Sequence, residues 1–309
     1  MHALFSIVGL ALLSGLAQAA PASQARGNNN GGGGQRVGIA VPDKNSNDLK
    51  ALVGDDSKVD WYYTWELNDS PVIRKANPKA EFLPQVGPRD VVATDPSNPT
   101  LNEDSAKKLS ALRKSGSKRL LCFNEPDEEV KNGGTGLDPA LVAKYYKHVI
   151  MPLKEQGWQI SHPVVTGSPR GLGWLQKFAT ECRALNGNAD CPTDFVSVHW
   201  YGAASGLGNW VGELHDFYKS YRNKPKFWFT ELGVPKAGVE GQGTRDQNMD
   251  FLTQARQLFQ QNNFVEAYAW FGVNRDTHYN AWTGSGVSLF DGNGELNNLG
   301  NMLKLGTSS

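Results

Sequence analysis

The sequence predicts an α/β fold, a single (β/α)8 TIM barrel, and three observations carry that reading. Short apolar runs alternate with amphipathic helical segments along most of the chain. Eight such runs can be counted, the number that builds a barrel of parallel strands. No glycine fingerprint for a dinucleotide follows the first run, which disfavours a doubly wound sheet. Size agrees, because residues 36–309 remain once the amino-terminal segments are set aside, and such barrels commonly run to about 250 residues.

The strand candidates are 36–41, 59–65, 81–86, 119–124, 164–167, 195–201, 226–231 and 265–271. In the fourth, Leu120-Leu121-Cys122-Phe123 suits a strand covered on both faces. The clearest helix covers 138–156, where Asp138 offers an N-cap and Pro139 fits the first turn. Leu141, Val142, Tyr145, Val149 and Leu153 form its apolar stripe. Further helices are expected over 104–114, 174–185, 211–221 and 245–261. There is no internal repeat and no sign of a second domain.

Residues 1–19 read as a secretory signal peptide, with an apolar core and Ala17-Gln18-Ala19 as the cleavage site. Residues 20–35 read as a flexible Gly/Asn-rich linker, containing Asn28-Asn29-Asn30 and Gly31 to Gly34. The expected destination is outside the cell or in the cell wall. Cys182 and Cys191 lie nine apart, and in an oxidising compartment they are expected to form a disulfide. Cys122, inside a strand, is expected as a buried free thiol. Cysteine and histidine spacing shows no metal-ligand pattern, so neither a metal nor a cofactor is expected. Lys+Arg and Asp+Glu are 31 each, and zero net charge argues against a nucleic-acid partner. No apolar stretch is long enough to span a membrane, and a monomer is expected. Asn68-Asp69-Ser70 is a glycosylation sequon, weakened by Pro71.

Two strand candidates end in glutamate. Asn124-Glu125-Pro126 closes the fourth, where Pro126 cannot join a ladder and keeps Glu125 out of the helical region. Thr230-Glu231-Leu232-Gly233 closes the seventh. Either carboxylate alone fits a solvated strand end or a helix cap. Two at the C-terminal ends of barrel strands face one opening, where barrels build their active sites. Glycoside hydrolysis needs such a pair, one acid to protonate the leaving oxygen and one carboxylate to attack or to activate water.

Aromatic residues gather at other strand ends. Trp61, Tyr63 and Trp65 share one face of the second strand by period two, and Tyr63 and Trp65 are expected to line the cleft. His199 and Tyr201 are likewise two apart on the sixth strand. Phe123, Trp200 and Trp228 are candidates for an apolar wall around the acid. Glu266 is expected as a structural partner near the start of the eighth strand, and Asp127, Glu128 and Glu129 as a solvated loop.

Four motifs stand in order: Phe123-Asn124-Glu125-Pro126-Asp127, then Ser197-Val198-His199-Trp200-Tyr201-Gly202, then Trp228-Phe229-Thr230-Glu231-Leu232-Gly233, then Tyr268-Ala269-Trp270-Phe271. Together they resemble glycoside hydrolase family 128, of the clan A retaining glycoside hydrolases, across residues 36–305. The resemblance implies a secreted endo-β-1,3-glucanase with β-glucan as its partner. It also implies Glu125 as general acid/base, Glu231 as nucleophile, and Asn124 as a hydrogen-bonding partner of the sugar 2-hydroxyl or the nucleophile. Of His199 and Tyr201, one would orient Glu231 and the other contact the sugar. Trp270 would be the aromatic floor at the cleavage point. A clan relative cutting β-1,4-glucan or mannan remains open, because loops read the linkage. A non-catalytic glucan binder is disfavoured, since it needs neither glutamate.

Overall fold

Parallel strands buried on both faces organise the chain, with helices outside them. The computed structural model describes residues 34–236 and 243–307. The expected signal peptide, and the linker up to residue 33, lie outside the described residues. The elements begin with β1 (Arg36–Ala40), α1 (Leu49–Val53), β2 (Val59–Tyr63), α2 (Pro71–Ala76), β3 (Glu81–Phe82) and β4 (Gln85–Val86). Then come β5 (Val91–Val92), β6 (Thr100–Leu101), α3 (Glu103–Lys114), β7 (Arg119–Cys122), α4 (Pro139–Tyr145), α5 (Met151–Glu155) and β8 (Gln159–Ile160). The last are α6 (Pro169–Leu185), β9 (Phe195–Tyr201), α7 (Ala204–Tyr218), β10 (Lys226–Gly233), α8 (Arg245–Gln261), β11 (Val265–Trp270) and α9 (Asn298–Leu305).

Six strands form a parallel sheet in the order β3-β2-β1-β11-β10-β9. A second parallel sheet has the order β4-β7-β8. The expected third strand is divided between them, because Pro84 has no N–H to give a ladder. Leu83 N–H still donates to Tyr62 of β2, while the Pro84 carbonyl accepts from Leu121 of β7. The fifth strand begins earlier than expected, at Gln159, and continues only as isolated parallel bridges at Ser161, Val164 and Val165. Pro163 interrupts it for the same reason.

Among the helices, α8 matches its expected span. The 138–156 segment is not one regular helix. Pro152 offers no N–H to the His148 carbonyl, and Tyr146–Ile150 widens into a π-helical turn between α4 and α5. Leu141, expected in its apolar stripe, is instead exposed. Both α6 and α7 start earlier than the sequence indicates, because glycines mask their first turns. Gly206 in α7 is required there, since a Cβ would lie 2.6 Å from the Trp200 ring.

Two apolar cores result from the alternation of strand residues. One packs strands against helices and includes Ile39, Tyr62, Phe229, Tyr268 and Trp270. The other is enclosed by the strands and contains Ala40, Trp61, Tyr63, Leu83, Leu121, Val164, Phe195, Trp228, Ala267 and Ala269. Small residues on β1 and β11 make room there for two indoles, Trp61 and Trp228, whose ring centres are 5.0 Å apart. Gly38 belongs to the same fit, as a Cβ would come within 2.2 Å of the Trp61 ring. At the strand starts, the guanidinium groups of Arg36 and Arg119 lie 5.1 and 4.7 Å from the Trp228 ring centre. Both also bond Glu81, and Trp228 Nε1 donates to Glu266 at 2.7 Å. Glu266 is thus a structural partner.

Cys182 and Cys191 are bridged, tying α6 to the approach to β9, and Cys122 is a buried free thiol. Beside the bridge, His162 is almost wholly buried, with Nδ1 2.9 Å from the Tyr218 hydroxyl and Nε2 3.1 Å from the Cys191 carbonyl. Burial pulls its pKa down to about 4. A depressed imidazole supports the fold above its unfolded value of 6.5, and that support fades as pH falls toward 4. The contribution is about 3 kcal/mol over this window. Wild type should therefore lose thermal stability between pH 6.5 and 4 more steeply than His162→Phe, and parallel melting curves would refute the assignment.

Candidate active site

The expected site residues lie at or just beyond the C-terminal ends of the strands, and all but Trp270, which closes β11 facing the helices, gather at one cleft. Beyond β7 the backbone turns sharply, with positive φ at Phe123 (49°) and Glu125 (37°); Trp65, beyond β2, is at 55°. Left-handed backbone at non-glycine residues costs about 1–3 kcal/mol each and collects at functional sites. The turn is secured by bonds from Glu125 N–H to Val164 (2.7 Å) and from Thr135 N–H to Glu125 (3.1 Å). Gly134 must be small here, because a Cβ would lie 2.3 Å from the Glu128 carbonyl.

Glu231 reaches the enclosed side through a bulge. In β10, Phe229 pairs with Val198 and Glu231 with His199, so two residues advance against one on β9. This shift lets Trp228 and Glu231, three apart, both face inward. The Glu231 carboxylate is 5% exposed as a residue and heavily bonded. Its Oε1 accepts from the Tyr63 hydroxyl (2.8 Å) and Trp65 Nε1 (2.8 Å), and its Oε2 from the Tyr201 hydroxyl (2.5 Å). His199, fully buried, stands between the two acids, with Nδ1 2.7 Å from Glu125 Oε1 and Nε2 3.4 Å from Glu231 Oε1. Asn124 Nδ2 donates to the Gly133 carbonyl, and its Oδ1 is buried without a bond.

Burial drives the proton affinities. It pushes the Glu231 carboxyl up, the His199 imidazole pulls it back, and the Glu125 charge adds to the rise, so the net direction is upward. For His199, burial alone would lower the pKa, but the carboxylates of Glu231 and Glu125 outweigh it and raise it. Burial, then the Glu231 charge, lifts the Tyr63 and Tyr201 hydroxyls well above their usual range, which keeps both as donors.

These groups open on a cleft of about 950 Å³, lined among others by Trp65, Asn124, Glu125, Tyr201, Glu231 and Phe271. Tyr63 and His199 sit beneath it as partners of the carboxylates. Trp270 is elsewhere: it is fully buried, packs 6.2 Å from Phe251, and donates from Nε1 to the Val287 carbonyl. With Ala267 and Ala269 inward, period two turns Phe271 to the cleft and Trp270 to the helices. That parity was readable in the sequence. Trp282 and Asn280, in the loop after β11, also line the cleft, and no sequence signal marked them. The expected apolar wall is also displaced. Trp228 lies in the enclosed core, Phe123 packs on Tyr145, and Trp200 bonds the Ala203 carbonyl. Nor is Asp127 a solvated loop residue: its side chain is buried and accepts from Thr166 N–H and hydroxyl.

Atoms of Glu125, His199 and Glu231 lie within 4.8 Å of one another, close enough to be weighed as metal ligands. The donor set fits poorly. Three N–H and O–H donors already take three of the roughly four lone-pair sites of Glu231, and the raised proton affinity of His199 works against its acting as a ligand.

The arrangement is a buried pair of carboxylates bordering a cleft on an α/β scaffold. The family model described as "Glycosyl hydrolase catalytic core" matches residues 38–303, and the chain belongs to that family. The resemblance to glycoside hydrolase family 128 holds among solved structures, where similar folds are β-1,3-glucanases of several subgroups of that family. One is the subgroup III curdlan-specific exo-β-1,3-glucanase of Blastomyces gilchristii, in complex with glucose. It is 25% identical, with TM-score 0.64, covering 87% of this chain and 97% of that one. The subgroup IV endo-β-1,3-glucanase of Lentinula edodes shares the fold at 20% identity and TM-score 0.67, covering 87% and 98%. Alkali-sensitive linkage protein 1 of Schizosaccharomyces pombe is 26% identical over 247 residues, 78% of this chain but 39% of that protein. The chain thus spans about two fifths of that curated relative's length.

The raised Glu231 predicts a pH signature. A carboxyl whose folded pKa exceeds its unfolded value of 4.5 supports the fold at low pH and loses that support as pH rises through the folded value. His199, also raised, has the same sign above 6.5. Relative to Glu231→Gln, wild type should therefore lose melting temperature as pH rises from 4.5 to neutrality. A difference between the two that does not change with pH would contradict the electrostatic account.

Proposed function

We propose that this chain is a retaining endo-β-1,3-glucanase, working by double displacement on a closed (β/α)8 barrel outside the cell. Glu231 is the nucleophile and Glu125 the general acid/base. The observation that carries this reading is the carboxylate pair, with one oxygen of each within 4.8 Å of the other at the floor of an aromatic cleft. Retaining enzymes hold their carboxyls about 5–5.5 Å apart, whereas inverting ones leave roughly 6.5–9.5 Å for a water. The roles follow from their partners. Three donors stabilise an anion on Glu231, while among the described residues the Glu125 carboxyl bonds only the His199 imidazole and faces the cleft, as a proton donor must. Barrel closure is supported by the shared segment of β3 and β4, and by bonds linking the fifth segment to β9.

The aromatic wall favours β-1,3-linked glucan. Trp65 and Phe271 meet at 74°, Phe271 and Tyr201 at 80°, and Tyr201 and Trp282 at 78°. A flat β-1,4 ribbon would suit rings lying in one plane. A β-1,3 chain coils, and its successive sugars turn to meet planes set nearly at right angles. Lining on both sides of the carboxylates supports cutting within the chain. The Cys182–Cys191 bridge supports an oxidising, extracellular setting.

Glu125→Gln and Glu231→Gln should each lose about 10²–10⁴ in rate on laminarin while remaining folded. On an activated aryl laminarioside with azide, Glu125→Ala should give the β-glycosyl azide and Glu231→Ala the α-anomer, since azide takes the place of water or of the nucleophile. The reverse pattern would exchange the roles. Faster wild-type hydrolysis of carboxymethyl cellulose or mannan than of laminarin would overturn the substrate. Release of glucose alone from laminarin would overturn the endo reading.

A further inference from the structure

The cleft has two unlike halves. The Glu231 side is aromatic, built by Trp65, Tyr201, Phe271 and Trp282. Trp282 is 47% exposed yet held in place: Asn280 Oδ1 accepts from its N–H at 2.8 Å, and the neighbouring Thr283 hydroxyl bonds the Asn280 carbonyl. A large indole kept exposed by a braced loop at a cleft mouth offers a face to a ligand.

The Glu125 side is polar. Arg170, at the start of α6, is 55% exposed along its side chain and lines the cleft. Two carboxylates hold it: Nη2 bonds Glu128, and Nε lies 3.6 Å from Asp127, itself fixed on Thr166. Glu128 also accepts from Asn132 Nδ2 at 3.0 Å. A guanidinium has five donors in a rigid plane, and the two directed at carboxylates set that plane while leaving donors for hydroxyl groups.

Resting on the glucanase reading, we propose that the two halves take opposite ends of the substrate. The aromatic half holds the sugars that become attached to Glu231. The polar half, with Arg170 as its specificity-determining residue, holds the glucan chain that leaves. The chemistry sets the direction. The C1–O bond breaks as Glu231 bonds to C1, and the oxygen takes its proton from Glu125. The departing chain therefore begins at Glu125 and runs toward the residues that follow it, Glu128 and Asn132, and toward Arg170 beside them.

The test compares two substrates that share the retained sugars and differ in the leaving group: laminarihexaose, and a chloronitrophenyl β-laminaribioside whose leaving group is a single activated ring. Arg170→Ala should lower kcat/KM on the hexaose about tenfold, the loss of one charge-assisted hydrogen bond. Its loss on the aryl substrate should be smaller by about fivefold on the same scale. Trp282→Ala should lower both alike. Asn132→Ala, which loosens Glu128, should follow Arg170→Ala more weakly, so the inference stands on two variants. Equal losses on both substrates for Arg170→Ala and Asn132→Ala, with active wild type, would overturn the division and leave the glucanase reading intact. Wild type that cleaves neither substrate would overturn both.

Discussion

The burial of the Glu231 carboxylate is the constraint on which the remaining geometry depends. A charge removed from water costs several kcal/mol unless its lone pairs are bonded. Here the donors come from three places: Tyr63 at the end of β2, Trp65 just beyond it, and Tyr201 at the end of β9. All three must reach one carboxylate held on β10. That meeting needs the β10 bulge, which turns Glu231 inward, and the left-handed backbone at Trp65. Strain of this kind persists only where surroundings over-determine it. The carboxylate and its donors supply that on one side, and the enclosed core supplies it from below.

That core is a platform shaped by volume. Gly38, Ala40, Ala267 and Ala269 are small where Trp61 and Trp228 are large, so the indoles lie across the interior toward β1 and β11. Tyr63 stacks at 6.5 Å on Trp61 and meets Trp65 at 5.0 Å with the rings tilted by 59°. The donor hydroxyl of Tyr63 is therefore positioned by a column of rings that continues down to Trp228. Arg36, Arg119, Glu81 and Glu266 close the lower end of that column. A rigid base of this sort is what holds donors within hydrogen-bonding reach of one oxygen.

The parts legible in the sequence were those governed by short-range rules. Strand-ending glutamates announce themselves, because an acid after an apolar run needs a partner. Period two brought Tyr63 with Trp65, and His199 with Tyr201, and the structure gathers all four around the carboxylates. The same rule, applied to Ala267 and Ala269, would have chosen Phe271 over Trp270, and the motif drew attention to the larger ring instead. The β10 bulge was not legible, since two residues opposing one is a property of a pair of strands. Nor was Trp282, whose place is set by a loop braced on Asn280. Pro84, Pro152 and Pro163 were visible, but their effect depends on which carbonyl goes without a partner.

His199 gives the two carboxylates a constant electrostatic environment during the proposed reaction. At the start, Glu231 carries the charge and Glu125 the proton. His199 as imidazolium then donates from Nδ1 to Glu125 Oε1, at 2.7 Å, which directs the acidic O–H of Glu125 away toward the leaving oxygen. When Glu231 becomes an ester it loses its negative charge, and in the same step Glu125 gives its proton to the leaving oxygen and becomes a carboxylate anion. The imidazole faces one negative carboxylate before the step and one after it. Only the location of the anion moves, from the neighbour of Nε2 to the neighbour of Nδ1. Because that transfer occurs in a buried, prearranged site, little solvent or side-chain reorganisation accompanies it, and this is the condition under which fixed dipoles stabilise a transition state most strongly.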